Sequence, residues 1–252
     1  MGVGLCPTPY FLVGTMNKHI ICHIHCLDHP SVLKILNNLV KHDSVFTGEK
    51  IATVTRVSTE IYVYDSVVSI LKNLGYEVIV VDNDLELRET SRFFDIALPA
   101  LLKKTKEGVL FYCHSKGVIY HPQSKDGMVT SLWTDVLWEY TLAKQDQFPF
   151  EDDSLYAFGT CRVDTKGFLP DLIGENFCFV GTFFWIKLSK LVGKKFKPTS
   201  KFYLEALPGL ICELSESYAQ GPDLTPLDSP YEIETWNKRG IYYGFPNKNS
   251  AD

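Results

Sequence analysis

The chain contains an apolar run, Val109-Leu-Phe-Tyr-Cys113, that opens directly into the polar segment His114-Ser-Lys-Gly117. An uninterrupted apolar run of this length is typical of a strand that is covered on both faces of a parallel sheet. Polar residues that follow such a strand lie at its carboxyl end, which is where open α/β sheets bind their ligands. This segment therefore indicates both a fold class and the position of a site.

The sequence before this run alternates in the same way. Strands are predicted at 20–27, 50–57 and 77–81, and helices at 31–41, 62–74 and 89–106. Ser31 is the expected N-cap of the first helix, and Gly75 and Gly108 are expected to end the second and third. After Glu77 the run at 78–81 is apolar throughout, which predicts a strand covered on both faces. Four such alternations predict parallel strands joined by right-handed crossovers.

The second half of the chain lacks this alternation. Helices are predicted at 131–144 and 199–219, the latter interrupted near Pro208, and strands at 155–163 and 177–188. No repeat or linker divides the chain, so we predict one α/β domain over 16–252, in which a Rossmann-like mixed sheet is flanked by helices. Residues 1–15 are expected to be an N-terminal extension.

Composition excludes several classes of protein. A net charge of −5 argues against a nucleic-acid partner, and a hydrophobic content of 45% argues against disorder. Seven scattered cysteines are typical of a reducing compartment. No apolar run approaches the about 20 residues that span a bilayer, so no membrane span and a cytoplasmic location are expected.

Two polar clusters follow predicted strands. In the first, Lys116 can neutralise a diphosphate, His114 can bind a metal or donate to phosphate, and Gly117 lets the backbone approach a ligand closely. The same residues also suit an ordinary loop. In the second, Asp82 and Asp84 can hold Mg²⁺ or Mn²⁺, can hydrogen-bond a ribose or a base, or can simply form Asx turns.

Three further groups have two interpretations each. Alternation along the first strand puts Cys22 and Cys26 on one face and His23 and His25 on the other, which argues against tetrahedral zinc and leaves strand residues that are buried or line a cleft. Glu205 stands among apolar residues and suits either a general base or the polar face of a helix. The aromatic segment 181–185 suits either a sugar ring or the core.

Three segments together resemble small GT-A-like glycosyltransferases that decorate bacterial and large-DNA-virus (chlorovirus-type) glycans. They are VLFYCHSKGV at 109–118, FVGTFFWIKLSKL at 179–191 and KFYLEALPG at 201–209. The resemblance covers residues 19–220, and Trp133 matches the tryptophan that opens the family's next helix. The sequence departs from the family pattern at the position where a metal-binding Asp-x-Asp is usual, since His114 and Lys116 occupy that position instead.

The resemblance implies a UDP- or GDP-sugar donor and a glycan or glycoprotein acceptor. Residues 16–118 would bind the nucleotide, and residues 119–252 would bind the acceptor. The implied donor-binding residues are His25, Asp82, Asp84, His114, Ser115, Lys116 and Gly117. The implied sugar-contacting residues are Trp133, Gly181, Phe184 and Trp185. If the protein is viral, the resemblance implies the host cytoplasm.

For catalysis, the resemblance implies Glu205 as the base of an inverting reaction, whereas a retaining enzyme would need no base there, and the sequence does not decide between the two. It also implies a charged group on the leaving diphosphate. Mn²⁺ or Mg²⁺ held by Asp82, Asp84 and His114 would supply that charge, or Lys116 would replace the metal. Two other functions fit the pattern. One is a different nucleotide-dependent α/β transferase, although no Walker-type or Gly-x-Gly-x-x-Gly motif is present. The other is a non-catalytic glycan-binding module.

Overall fold

The computed structural model describes residues 16–57, 59–163, 176–222, 224–225 and 228–241, so the expected extension at 1–15 lies outside the described residues. The first half contains the strands β1 (Lys18–His25), β2 (Lys50–Thr55), β3 (Glu77–Val81) and β4 (Val109–His114). It also contains the helices α1 (Pro30–Lys41), α2 (Ile61–Asn73), α3 (Glu89–Arg92) and α4 (Leu98–Lys104), with a π-helical turn (Phe93–Ala97) between the last two. The four strands are parallel in the order β3-β2-β1-β4, which confirms the predicted alternation.

The second half adds shorter elements. They are α5 (Lys125–Trp138) with a π-helical turn (Glu139–Ala143), β5 (Ala157–Gly159), β6 (Arg162–Val163), β7 (Cys178–Phe179), β8 (Phe184–Lys187), α6 (Tyr203–Ile211), β9 (Ser217–Ala219) and α7 (Ile233–Asn237). Strand β8 runs antiparallel to β4 and β5, and β9 runs parallel to β5. The protein is thus a single α/β domain with a seven-stranded mixed sheet, as predicted, and β6 and β7 form a separate pair. Among the described residues, no helix combines the length and apolarity that crossing a membrane requires.

Both faces of the sheet are packed. Cys22 and Ile24 belong to one buried cluster, which also includes Leu39 of α1. Ile21, on the opposite face of β1, packs in a second cluster with Phe93. Because side chains alternate along a strand, this packing separates the cysteines from the histidines of β1, as the sequence predicted.

Some local predictions were wrong. The N-cap of α1 is His29 and not Ser31, because the His29 Nδ1 atom accepts a hydrogen bond from the Ser31 backbone N–H at 3.1 Å. Strand β3 lies at the edge of the sheet and is not covered on both faces, because Val80 is 52% exposed and only Val81 of this strand is buried. The predicted third helix is interrupted by the π-helical turn and ends at Lys104 rather than Lys106.

The order of the strands creates a topological switch point. The chain moves from β1 through β2 to β3 on one side, and then places β4 on the other side of β1. The loop after β4 is fixed there, because the Ser115 N–H donates to the His23 carbonyl and the His25 N–H donates to the Ser115 Oγ atom, each at 3.0 Å. In open α/β sheets, ligands bind in the crevice at this point.

Candidate functional site

A cavity of about 400 Å³ opens at this switch point. It is surrounded by the carboxyl ends of β1, β2 and β4, by the loop and helix after β3, and by α5 and α6. The residues that line it include His23, His25, Asn83, Asp84, Leu85, Arg88, Glu89, Arg92, His114, Ser115, Lys116, Gly117, Ile119, Tyr120, Thr130, Trp133, Thr182, Lys201, Phe202, Glu205 and Tyr231.

Lys116 lies between an aromatic ring and two carboxylates. Its Nζ atom is 3.8 Å from the centroid of the Trp133 ring, a distance typical of a cation–π contact. Burial lowers the pKa of Lys116, and the charges of Glu205 and Glu89 oppose that effect. The structure therefore places the Lys116 side chain in a desolvated position, where an anionic ligand would interact strongly with its charged form.

The Glu205 carboxylate is held by the backbone. It lies in the first turn of α6, and its Oε1 atom accepts a hydrogen bond of 2.7 Å from the Gly181 N–H. Gly181 has a φ of +110°, and a Cβ atom there would lie 2.7 Å from Leu137 Cδ1 and 3.0 Å from Trp133 Cζ2. Only glycine fits this position without strain, so the orientation of Glu205 depends on it.

His114 is a neutral imidazole at physiological pH. Its pKa is lowered to about 3, mainly by burial and also by the charges of Lys116 and Arg88, while a hydrogen bond with the Gly181 backbone opposes the shift. The His114 Nδ1 atom is 3.7 Å from the Glu89 Oε1 atom, while His114 Nε2 is buried without a hydrogen-bond partner. The sequence pattern predicts that His114 binds a metal or donates to phosphate, but its position suits a neutral hydrogen-bonding group.

His23, the direct register partner of His114 on the neighbouring strand β1, is also neutral. Burial lowers its pKa to about 4, and the charge of Glu89 opposes the shift. Its Nδ1 atom is 2.9 Å from the Thr53 Oγ1 atom, which fixes the ring across the β1–β2 pair. The floor of the cavity is thus polar but uncharged.

The charge of the cavity comes from its sides. Four basic side chains line it, Arg88, Arg92, Lys116 and Lys201, against the three carboxylates of Asp84, Glu89 and Glu205. A local excess of positive charge in a chain of net charge −5 favours an anionic ligand. Sequence reasoning missed Arg88 and Arg92, although their spacing of four residues at the start of a helix after a strand was a usable signal. Arg88 also has a φ of +51°, a conformation that non-glycine residues adopt rarely.

One wall of the cavity is aromatic. Tyr231 meets Trp133 edge to face at 5.4 Å between ring centroids, and Tyr120 lies 6.2 Å from Tyr231. Burial and the neighbouring Tyr120 hydroxyl raise the pKa of Tyr231. Aromatic faces of this kind suit a sugar or a nucleobase. Tyr231 was missed because its segment carries no periodic pattern.

The structure brings together most of the residues that the sequence selected. His25, Asp84, His114, Ser115, Lys116, Gly117, Trp133 and Glu205 all line the cavity. Gly181 is joined to it through the hydrogen bond to Glu205. Asp82 is exposed and does not line the cavity, whereas its neighbour Asn83 does.

Phe184 and Trp185 lie in the core and do not line the cavity. Strand β8 lies between β4 and β5, and its two faces pack in different buried clusters, Trp185 in one and Phe184 in the other, so both side chains are 0% exposed. The Trp185 Nε1–H donates to the Thr141 carbonyl at 2.7 Å. We therefore correct the prediction of a sugar contact for these two residues and assign them to core packing.

The residues present do not fit a divalent metal ion. The Asp84 carboxylate accepts hydrogen bonds from Glu86 N–H (2.9 Å), Leu87 N–H (2.8 Å) and Ser91 Oγ–H (2.7 Å) of its own loop. These bonds lower the pKa of Asp84 and match the Asx-turn interpretation of the sequence. Within the described ranges, no three His, Cys, Asp or Glu side chains form a group that could hold a metal, so Asp82, Asp84 and His114 do not form one.

No protein-family model matches the sequence, and no curated protein matches it.

Proposed function

We propose that this protein is a glycosyltransferase that moves a sugar from a UDP- or GDP-sugar to a glycan acceptor. The observation that carries the proposal is the composition of one cavity at the switch point. It combines basic side chains, a carboxylate oriented by the backbone and an aromatic wall. A nucleotide-sugar has a matching set of parts, namely an anionic diphosphate, an electrophilic anomeric carbon and flat apolar ring faces.

In the proposed reaction, the basic side chains act on the leaving group. The bond between the anomeric carbon and the diphosphate oxygen breaks, and negative charge collects on that oxygen. Lys116, with Arg88 and Arg92 in the same cavity, would stabilise this charge in a partly desolvated place. This assignment follows the alternative in which Lys116 replaces a metal, because the described residues do not fit one.

Glu205 would act on the acceptor. As an acceptor hydroxyl attacks the anomeric carbon, its proton passes to the carboxylate, and the configuration at that carbon is inverted. The hydrogen bond from the Gly181 N–H fixes one carboxylate oxygen and thereby the direction of the group. The neutral His114 beside it would donate or accept a hydrogen bond without adding charge.

The first experiment is a calorimetric titration of the protein with UDP, GDP, CMP and their sugars, each with Mn²⁺ and with EDTA. We expect one nucleoside diphosphate to bind, and we expect EDTA to leave most of the affinity. If none of these nucleotides binds, the proposal fails, and binding of glycans alone would then indicate a non-catalytic glycan-binding module.

Two variants separate binding from chemistry. Lys116→Met should weaken nucleoside diphosphate binding by more than about tenfold, because a charge-assisted contact to phosphate is lost. Glu205→Gln should retain binding and depress sugar transfer. Asp82→Asn is the matched control, because it removes a carboxylate from the same edge of the sheet outside the lining of the cavity. Normal transfer by Glu205→Gln would remove this residue from the role of base.

A further inference from the structure

The Trp133 ring is covered on its cavity side by a cation. The Lys116 Nζ atom lies 3.8 Å from the ring centroid, and Trp133 is only 2% exposed although it lines the cavity. The edge of Tyr231 closes the ring from another direction. An incoming flat molecule therefore cannot stack on the indole while Lys116 stays where it is.

The same wall carries polar atoms without partners. Trp133 Nε1 and Thr130 Oγ1 lie one turn apart on α5, both residues line the cavity, and both atoms are buried without a hydrogen bond. His114 Nε2, also in the lining, is in the same state. Buried polar groups are nearly always hydrogen-bonded in native proteins, so the concentration of these three atoms around one cavity points to a ligand that supplies their partners.

We propose that this wall of α5 is a saccharide subsite that Lys116 covers until an anion in the cavity draws its ammonium group away. The uncovered indole would take the apolar face of a pyranose ring, and the ring hydroxyls would pair with Trp133 Nε1 and Thr130 Oγ1. This inference rests on the proposed function and adds to it the order in which the ligands bind. The diphosphate group binds first, and the sugar that stacks on Trp133 binds second.

The contacts of the Lys116 ammonium group permit this movement, while the loop backbone stays packed against α5. Lys116 is followed by Gly117, which has a φ of +81° and whose missing Cβ leaves room for the Thr130 side chain, 2.6 Å from where that atom would be. The Lys116 side chain has no hydrogen-bonded partner at its charged end among the described contacts of the cavity, and its cation–π contact is weaker than a contact with a phosphate oxygen. A diphosphate beside Arg88 and Arg92 would therefore compete successfully for it.

The test uses inorganic pyrophosphate as the anion and the methyl glycosides of glucose, galactose and mannose as saccharide probes. Calorimetry should detect binding of one glycoside at least about tenfold more tightly when pyrophosphate is present, in keeping with ordinary coupling free energies. Pyrophosphate alone should change the tryptophan fluorescence, and Trp133→Phe should abolish that change. In Lys116→Met, the glycoside should bind without pyrophosphate.

Lys201→Met is the matched control. It removes a cation that lines the same cavity but lies 5.0 Å from the Phe202 ring instead of over Trp133. Its glycoside affinity should still depend on pyrophosphate. Pyrophosphate binding with unchanged glycoside affinity, or no glycoside binding in any state, overturns the subsite and leaves the proposed function intact. Failure of pyrophosphate and every nucleotide to bind overturns both.

Discussion

Replacing Gly181 by alanine should destabilise the protein by roughly 2–6 kcal/mol. About 1–3 kcal/mol of this comes from holding a non-glycine residue at an unfavourable positive φ, here +110°. A further 1–3 kcal/mol, roughly, comes from overpacking, because the new methyl group would lie 2.7 Å from Leu137 Cδ1 and 3.0 Å from Trp133 Cζ2. The Gly181 N–H also orients Glu205, so the folded fraction should lose sugar transfer as well.

Urea titration would measure this loss as a change in the free energy of unfolding. Gly193→Ala is the control, because Gly193 has a φ of +74° with no atom within 4 Å of a built Cβ, so only about 1–2 kcal/mol of backbone strain is expected. Leu137→Ala completes a double-mutant cycle, in which removing the crowding should make the double variant about 1–3 kcal/mol more stable than additivity predicts. Equal losses for the two glycine variants, together with additivity in the cycle, would refute the crowding argument.

Three further predictions concern the site and its surroundings. Because the pKa values of His23 and His114 are about 4 and about 3 against 6.5 in the unfolded chain, the unfolded state binds more protons below pH 6.5. The free energy of unfolding should therefore fall from pH 6.5 towards pH 4, by up to about 1.4 kcal/mol per pH unit for each histidine, and urea titrations of His23→Gln should show a shallower slope. Asp84→Ala should cost roughly 1–2 kcal/mol through three lost loop hydrogen bonds and leave nucleotide binding equally insensitive to Mn²⁺, as calorimetry would show. Trp185→Phe should cost about 1–3 kcal/mol by leaving the Thr141 carbonyl without its donor, while ligand affinity stays unchanged; a loss of affinity would return Trp185 to the site.

The parallel half of the fold could be predicted from the sequence because its signals are local. The run at 109–113 is continuously apolar, and α2 ends just before a recognisable residue, Gly75, which has a φ of +80°. The carboxyl ends of parallel strands meet at one edge, so the polar segment at 114–117 and the loop after β3 could be expected near one another without knowledge of the packing.

The antiparallel half could not be predicted in the same way, because its arrangement depends on pairing between distant segments. In the sequence, an aromatic pair such as Phe184 and Trp185 fits a ligand site and the core equally well. They are buried because β8 pairs with both β4 and β5. Tyr231 reaches the cavity from the end of the chain, and nothing near it in sequence indicates that contact. The sequence predicts the same roles for Asp82 and Asp84. In the structure, hydrogen bonds within the loop hold the Asp84 carboxylate at the cavity, while Asp82 is exposed.

Several features that are locally unfavourable in a folded protein occur together at the cavity. Arg88 and Thr182 both have positive φ values, the Lys116 ammonium is desolvated, and Trp133 Nε1 and Thr130 Oγ1 lack partners. Each of these features costs free energy in the empty protein, and such costs collect at functional sites because a ligand offsets them. A ligand that satisfies these groups binds only the folded state, so it should raise the free energy of unfolding by about 2.7 kcal/mol at one hundred times its dissociation constant. The groups that weaken the empty fold are therefore the ones through which a ligand would stabilise it.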